Sequence, residues 1–177
     1  MRFHAILLSS ALFAALGMGP AFADSVELNG LEYTMSSCID NSSGQPRECV
    51  GQGVKACREG LQHGSNVAMI GCIFSELTYW ERQIDIGQAP QIVRAAKFEA
   101  DRATIGASYV DLIDMTKDAF KAWHRHRDTS CDVELAYWTG GSGGGSVVAQ
   151  CKLELTAEQA IRLSFGDGWG ASNEVNF

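Results

Sequence analysis

The sequence predicts an all-α protein, a compact set of helices and helical hairpins stapled by disulfides, with a short irregular extension at residues 24–50. Three observations predict this class. Apolar residues recur at helical spacing over much of the chain, six cysteines follow an export signal, and glycine-rich breaks separate the helical runs. The chain is long enough for one domain with a real core. We place this helical domain at residues 51–165 and expect a flexible, glycine-rich tail at residues 166–177.

Residues 1–23 have the layout of a cleavable secretory signal peptide. Arg2 gives a positive start, residues 5–16 form an apolar run, and Ala21-Phe22-Ala23 is a small-x-small cleavage site. The run is shorter than the roughly 20 apolar residues that span a bilayer. We therefore expect cleavage after Ala23 and a periplasmic or secreted protein without a membrane span; an uncleaved anchor is the alternative.

The chain is acidic, with a formal net charge of -7. Loss of Arg2 with the signal peptide takes this charge to -8. Such a protein is poorly suited to nucleic acid or to an anionic membrane surface, and it favours a cationic partner.

All six cysteines lie after the signal peptide, and an even number in an exported chain predicts disulfides. Proximity along the chain favours the pairs Cys38–Cys49, Cys57–Cys72 and Cys131–Cys151. The first pair is the least secure, because its cysteines could exchange partners with Cys57. A zinc site is the rival interpretation, but the Cys-x-x-Cys and His-x3-5-His spacings that would support it are missing.

The first part of the mature chain is polar and rich in turn residues. Residues 26–28 and 31–35 could form short extended pieces around Asn29-Gly30, and residues 40–46 have the composition of a loop.

Helical periodicity begins after an N-cap at Ser65. We expect this first long helix to end at Gly87 and Pro90. Its charged residues are assigned to a solvated face: Glu76, Glu81, Arg82 and Asp85.

Two further helices are predicted from Gln91 to Trp138, with a break at Gly106. One should end near Arg102, and the other should begin near Ser108. The last helix should run from about Ser146 to Ser164. Thr156 and Gln159 have capping-box spacing, which predicts a kink or a restart within that helix.

Trp123 and Arg127 are four residues apart and share one helix stripe. The guanidinium could stack on the indole, and Arg127 or Asp128 could bond to the turn at Gly140-Gly141. One interpretation is that these residues hold the helix to the turn; the other is a direct contact with a partner.

Residues 140–146 read Gly-Gly-Ser-Gly-Gly-Gly-Ser and lie between Cys131 and Cys151. They lack the Gly-Lys-Ser/Thr ending of a phosphate-binding loop. A flexible linker is one interpretation. A turn between two helices, with glycines at positive φ and closed by the disulfide, fits better. Such an exposed turn would suit insertion into a cleft.

We expect neither catalysis, nor a cofactor, nor a metal. His124 and His126 are two residues apart and would point to opposite sides of a helix, which prevents chelation of one ion. The chain contains no Gly-x-Ser-x-Gly motif, and each cysteine has a structural partner available.

One stretch resembles a known family. It carries Ala122-Trp123, Arg127-Asp128, Cys131, Gly140-Gly141-Ser142 and Cys151, followed by Leu155-Thr156 and Arg162-Leu163. This order resembles the C-terminal half of the LprI-like lysozyme-inhibitor family of small secreted bacterial proteins. Upstream, Cys57 lies where the first cysteine of the family would be. The segment Met69-Ile70-Gly71-Cys72, followed by Glu76 and Asp85, looks like the family's Met-x-x-Cys segment. The glycine run is longer than the usual Gly-Gly-Ser, and the Cys38–Cys49 region is additional.

The resemblance implies a disulfide-tied all-α fold and, for some members, inhibition of lysozyme. The first hypothesis is therefore an exported protein that blocks a cationic lysozyme by occupying its substrate cleft. The alternative is a periplasmic envelope-maintenance or protein-interaction module of the same fold that binds another protein. The expected partner-binding residues are Trp123, Arg125, Arg127, Asp128, Gly140, Gly141 and Ser142.

Overall fold

The computed structural model describes residues 21–61, 64–106, 111–138, 141 and 143–164, with side chains from Gly30 onward. Within these ranges the chain is helical and contains no strand, so the predicted all-α class is confirmed. The elements are α1 (Ala21–Asn41), a 3₁₀ helix (Pro46–Cys49), α2 (Gln52–Gly60), α3 (Asn66–Thr104), α4 (Leu112–Tyr137) and α5 (Gly144–Ser164).

Helices α3, α4 and α5 form a three-helix bundle. Helix α5 runs parallel to α3, because Gly145 lies against Ile70 and Gly87 lies against Leu163. Helix α4 runs antiparallel to α3, because Ile113 near its start bonds to Glu99 and Arg127, farther along it, bonds to Glu81. The core between the helices contains mainly aromatic and aliphatic side chains: Leu77, Trp80, Ile84, Phe120, Ala149, Leu153, Ala157 and Ala160.

The predicted end of a helix at Gly87 and Pro90 is wrong, because α3 continues through both residues. Gly87 is buried, and a Cβ there would lie 2.8 Å from the Leu163 Cβ. This glycine therefore serves close packing of α3 on α5. Pro90 removes one backbone N–H, but it is exposed, so water can hydrate the carbonyl left unpaired one turn earlier.

The predicted break at Gly106 is confirmed: α3 ends at Thr104, and Gly106 has φ +65°. The N-cap at Ser65 is confirmed as well, since its side chain accepts the Ala68 N–H. The start of α4 is capped twice, by Asp111, which accepts the Asp114 N–H, and by Glu99 of α3, which accepts the Ile113 N–H.

The extended pieces and the irregular extension predicted for residues 24–50 are wrong over most of that range. Helix α1 covers residues 21–41, and the 3₁₀ helix follows. Leu31, Met35 and Cys38 recur at i, i+4 and i+7, and the first two are buried in the core. Packing on α2 and α3 stabilises a helix whose composition is rich in polar and turn residues.

Two terminal predictions fall largely outside the described residues. The expected signal peptide, residues 1–23, overlaps them only at Ala21-Phe22-Ala23, and the expected tail at residues 166–177 does not overlap them. The restart predicted at Thr156 is wrong: α5 is continuous there, and Thr156 is fully buried.

The three predicted disulfides are confirmed. Cys38–Cys49 joins α1 to the 3₁₀ helix, Cys57–Cys72 joins α2 to α3, and Cys131–Cys151 joins α4 to α5. Each disulfide therefore links two elements that follow one another along the chain.

Candidate functional site

A charged cluster centred on Arg127 joins the three long helices. The Arg127 Nη1 donates to the Glu81 Oε1 of α3 at 3.0 Å and to the Thr156 Oγ1 of α5 at 3.3 Å. Its Nε donates to the Asp128 Oδ1 at 3.0 Å. Only 10% of the Arg127 side chain is exposed, so this guanidinium is occupied inside the molecule.

The stacking predicted for Trp123 is confirmed, since the Arg127 Cζ lies 5.5 Å from the centroid of its ring. The predicted bond from Arg127 or Asp128 to the glycine turn is not found among the described residues. Arg127 lies eleven residues before Trp138, or about 16 Å along the helix, which places it out of reach of the turn. The bonds to α3 and α5 hold α4 in the bundle instead.

Asp128 completes the cluster from the solvent side. Its carboxylate also lies 3.3 Å from the Lys152 Nζ of α5. Partial burial by itself would raise the pKa of Asp128, but the hydrogen bond and charge of Arg127, together with Lys152, outweigh it and hold this pKa below its ordinary value.

The remaining expected partner-binding residues lie away from this cluster or outside the described part of the chain. Arg125 is exposed on α4, and Gly141 is exposed in the turn. Gly140 and Ser142 fall outside the described residues. A Cβ at Gly143 would lie 2.7 Å from the Trp138 ring, and one at Gly144 would lie 2.8 Å from Leu135. Glycine at these two positions permits a close turn.

Glu76 joins α3 to α2 through its buried carboxylate. The sequence predicts a solvated position for Glu76, but the side chain is fully buried. Its Oε1 accepts the Gly51 N–H at 2.7 Å and the Trp80 indole N–H at 3.0 Å, while its Oε2 accepts the Val54 N–H at 2.8 Å. The carboxylate therefore caps the N-terminus of α2, where unpaired N–H groups and the helix dipole favour negative charge.

A groove of about 560 Å³ opens between α4 and α5, and we refer to it as the α4–α5 groove. Its lining is Ser130, Glu134, Ser146, Val147, Gln150, Cys151, Glu154 and Leu155. The sequence points to Ser146, Cys151 and Leu155 for other reasons but does not predict the groove, because the groove is assembled from two helices. The feature of the sequence that points toward the groove is the Cys131–Cys151 pair, whose disulfide holds the two helices together beside it.

No cluster of three or more metal-ligating side chains occurs within the described ranges. His124 lies edge-on to Trp123, with ring centroids 4.7 Å apart. None of the described helices has the length and apolar character needed to cross a membrane. The fold and its internal ionic clusters define a class, the small disulfide-braced helical domains.

Sequence comparison identifies the family within this class. The family model described as "Lysozyme inhibitor LprI" matches residues 57–163, and the chain therefore belongs to the LprI lysozyme inhibitor family. The matched range begins at Cys57 and extends almost to the end of α5, so α1 and the Cys38–Cys49 disulfide precede it.

One curated relative is described as an uncharacterized 17.7 kDa protein in the puhA 5' region of Rhodobacter capsulatus. It is 28% identical to this chain over 116 residues, which cover 65% of this chain and 72% of the relative. No solved structure matches the chain significantly.

Proposed function

We propose that this protein is an exported binding protein that inhibits a cationic lysozyme. The observation that carries the proposal is the match of residues 57–163 to a family described as lysozyme inhibitors. Export agrees with the signal-peptide layout of residues 1–23 and with the three disulfides, which persist in oxidising compartments.

The charge of the protein supports a cationic partner. The chain has a formal net charge of -7, which would speed its association with a positively charged lysozyme and weaken the interaction with rising salt. Inhibition would then follow from occupation of the substrate cleft.

We propose two different roles for the expected binding residues, according to their exposure. Arg127 is held inside the bundle by Glu81 and Thr156. We propose that it maintains the surface together with Trp123 and Asp128. Exposed Arg125 and the turn at residues 140–142 remain the candidates for contact with acidic groups in the cleft.

The test is a cell-wall lysis assay with oxidised residues 24–177 against chicken-type, goose-type and invertebrate-type lysozymes. Stoichiometric loss of activity for at least one class is expected, with an apparent Kd that rises between about 0.05 and 0.3 M salt as the Debye length shortens. Reduced and alkylated protein is the matched control, and it should not inhibit.

Full lysozyme activity in the presence of correctly oxidised protein would overturn this function. It would favour the alternative, an envelope-maintenance or protein-interaction module of the same fold. Deletion of the gene would then alter the cell envelope without changing lysozyme sensitivity.

A further inference from the structure

We infer that the α4–α5 groove is the surface on which this protein receives a basic side chain, arginine or lysine, from the cationic lysozyme. The inference rests on the proposed function and names its docking site. It adds a contact of the opposite charge sense to the one proposed above, in which Arg125 and the turn of this protein meet acidic groups of the cleft.

The carboxylates of the groove have no ionic partner within the part of the chain that the structure describes. Glu134 and Glu154 both line it, and neither forms a salt bridge with a described residue. The Glu154 Oε1 accepts a hydrogen bond of 2.9 Å from the Gln150 Nε2, but this amide is neutral and leaves the charge of the carboxylate in place. Two of the basic residues on the same helices, Arg127 and Lys152, are bound to Asp128 in the charged cluster. Lys55 and Arg58 of α2 line a separate pocket that shares Gln150 with the groove. The groove lining itself contains no lysine or arginine.

The position of Glu134 is unfavourable for the helix that carries it. Glu134 lies in the last turn of α4, where the helix dipole is already negative, and that turn contains no basic residue. A carboxylate at this position therefore does not serve helix stability. A cation from outside the molecule would compensate both the side chain and the helix end.

The shape and apolar surface of the groove fit the stem of a long basic side chain. Val147, Leu155 and the half-cystine Cys151 supply apolar surface beside the two carboxylates. The aliphatic part of a lysine or arginine covers such surface while its charged end stays with polar groups. The volume, about 560 Å³, is within the range of about 300–1,000 Å³ typical of protein binding pockets.

An aromatic ring lies on the face of α4 that lines the groove. Tyr137 follows Ser130 and Glu134 at i+7 and i+3, and it is 82% exposed. Tyrosine is enriched in protein interfaces, and its ring face attracts a guanidinium or an ammonium group. The groove and Tyr137 together form an acidic, partly apolar surface suited to a cationic protein.

The experiment compares two double variants with the same change in net charge. Glu134→Gln/Glu154→Gln removes both groove carboxylates, whereas Asp85→Asn/Asp132→Asn removes two exposed carboxylates that do not line the groove. Calorimetry with chicken-type lysozyme, or with another class if that is the one inhibited, gives the affinity. We expect the groove variant to bind about 10-fold more weakly, which corresponds to the loss of charge-assisted hydrogen bonds. The control should change by about 2-fold or less, because it loses only long-range attraction.

The possible results distinguish a failure of the groove as docking site from a failure of the proposed function. Equal weakening by both double variants would mean that net charge alone matters, and it would overturn the groove as the docking site while inhibition stands. An unchanged affinity of the groove variant would overturn it in the same way. Failure of the unmodified protein to bind any lysozyme class would overturn the proposed function and, with it, the groove as a lysozyme surface. Thermal unfolding of both variants confirms that the fold is intact.

Discussion

Glu76 and Arg127 are ionic side chains inside the bundle, and both are satisfied by hydrogen bonds. Glu76 accepts from two backbone N–H groups and one indole, and Arg127 donates to Glu81, Asp128 and Thr156. Burial of such groups is tolerated because every partner is provided by the fold. Each links segments that are far apart in the sequence.

Replacement of Glu76 by glutamine should destabilise the protein strongly. The glutamine keeps one acceptor oxygen but places an NH₂ group against buried N–H donors, so at least one of these donors loses its partner. We expect the free energy of unfolding to fall by about 2–4 kcal/mol, measured by urea denaturation. Glu48→Gln, on an exposed side chain of the 3₁₀ helix, is the control. An equal effect of the two substitutions would contradict the capping role of Glu76.

Asp128→Asn should destabilise the protein at neutral pH but not in acid. The folded-state pKa of Asp128 is lowered, so its ionised form favours the folded state above the ordinary aspartate pKa of about 3.9, and this contribution is lost as pH falls through the folded-state pKa. Because the side chain is 47% exposed, we expect a loss of no more than about 1 kcal/mol at pH 7.

Unfolding curves from pH 7 down to about pH 2 test this expectation, and the two proteins should converge at the acid end. Asp132→Asn, on an exposed residue of the same helix, controls for the change in net charge. A difference that persists undiminished at the acid end would show that Asp128 acts by packing and not by charge.

At the scale of the element, α3 shows how packing overrides local signals. Gly87 and Pro90 both predict a helix end, yet the helix spans residues 66–104. Burial of Leu77, Trp80 and Ile84 before these residues and of Ala95 after them stabilises a continuous helix. The exposed position of Pro90 limits the cost of its missing N–H group.

Two glycines of α3 should respond in opposite directions to alanine. Gly71→Ala should raise the free energy of unfolding by about 0.5–1 kcal/mol, because its Cβ would enter open space and alanine favours the helix. Gly87→Ala should lower it by about 1–3 kcal/mol, because the Cβ would lie 2.8 Å from that of Leu163. Chemical denaturation of both variants measures the difference. Stabilisation by both substitutions would show that α3 and α5 are not closely packed at Gly87.

At the scale of the whole molecule, the disulfides brace the helices and support the α4–α5 groove. Cys131 is fully buried, and its bond to Cys151 joins α4 and α5 across a sequence separation of 20 residues. Cys151 also lines the groove. The relative position of Glu134 and Glu154 therefore depends on this disulfide.

Removal of this disulfide by Cys131→Ala/Cys151→Ala should lower the free energy of unfolding by about 3 kcal/mol, the loop-closure entropy expected for a loop of this length. Denaturant unfolding under oxidising conditions measures the loss. In strong reductant the unmodified protein loses all three disulfides. When both proteins are measured in reductant, the unmodified protein should therefore be no more stable than the variant. Equal stability of the two oxidised proteins would show that the bundle alone fixes α4 against α5.

Several features could be predicted from the sequence because their signals are local. Helical spacing predicts the all-α class, Ser65 and Gly106 mark boundaries of α3, and the separations of the cysteines favour the pairing observed. Trp123 and Arg127 stack because four residues make one helical turn. The family resemblance also lies within one continuous stretch.

The tertiary structure alone decided the rest, because the contacts involved join residues that are distant in the chain. The Glu76 carboxylate accepts hydrogen bonds from N–H groups 22 and 25 residues away, and Arg127 donates to a glutamate 46 residues away. Residues 24–41 are helical because Leu31 and Met35 pack in the core, which their local composition does not reveal. Likewise, the α4–α5 groove exists only where two helices meet. Periodicity shows which side of a helix is apolar, but only packing determines which polar side chains are buried and which carboxylates remain open to a partner.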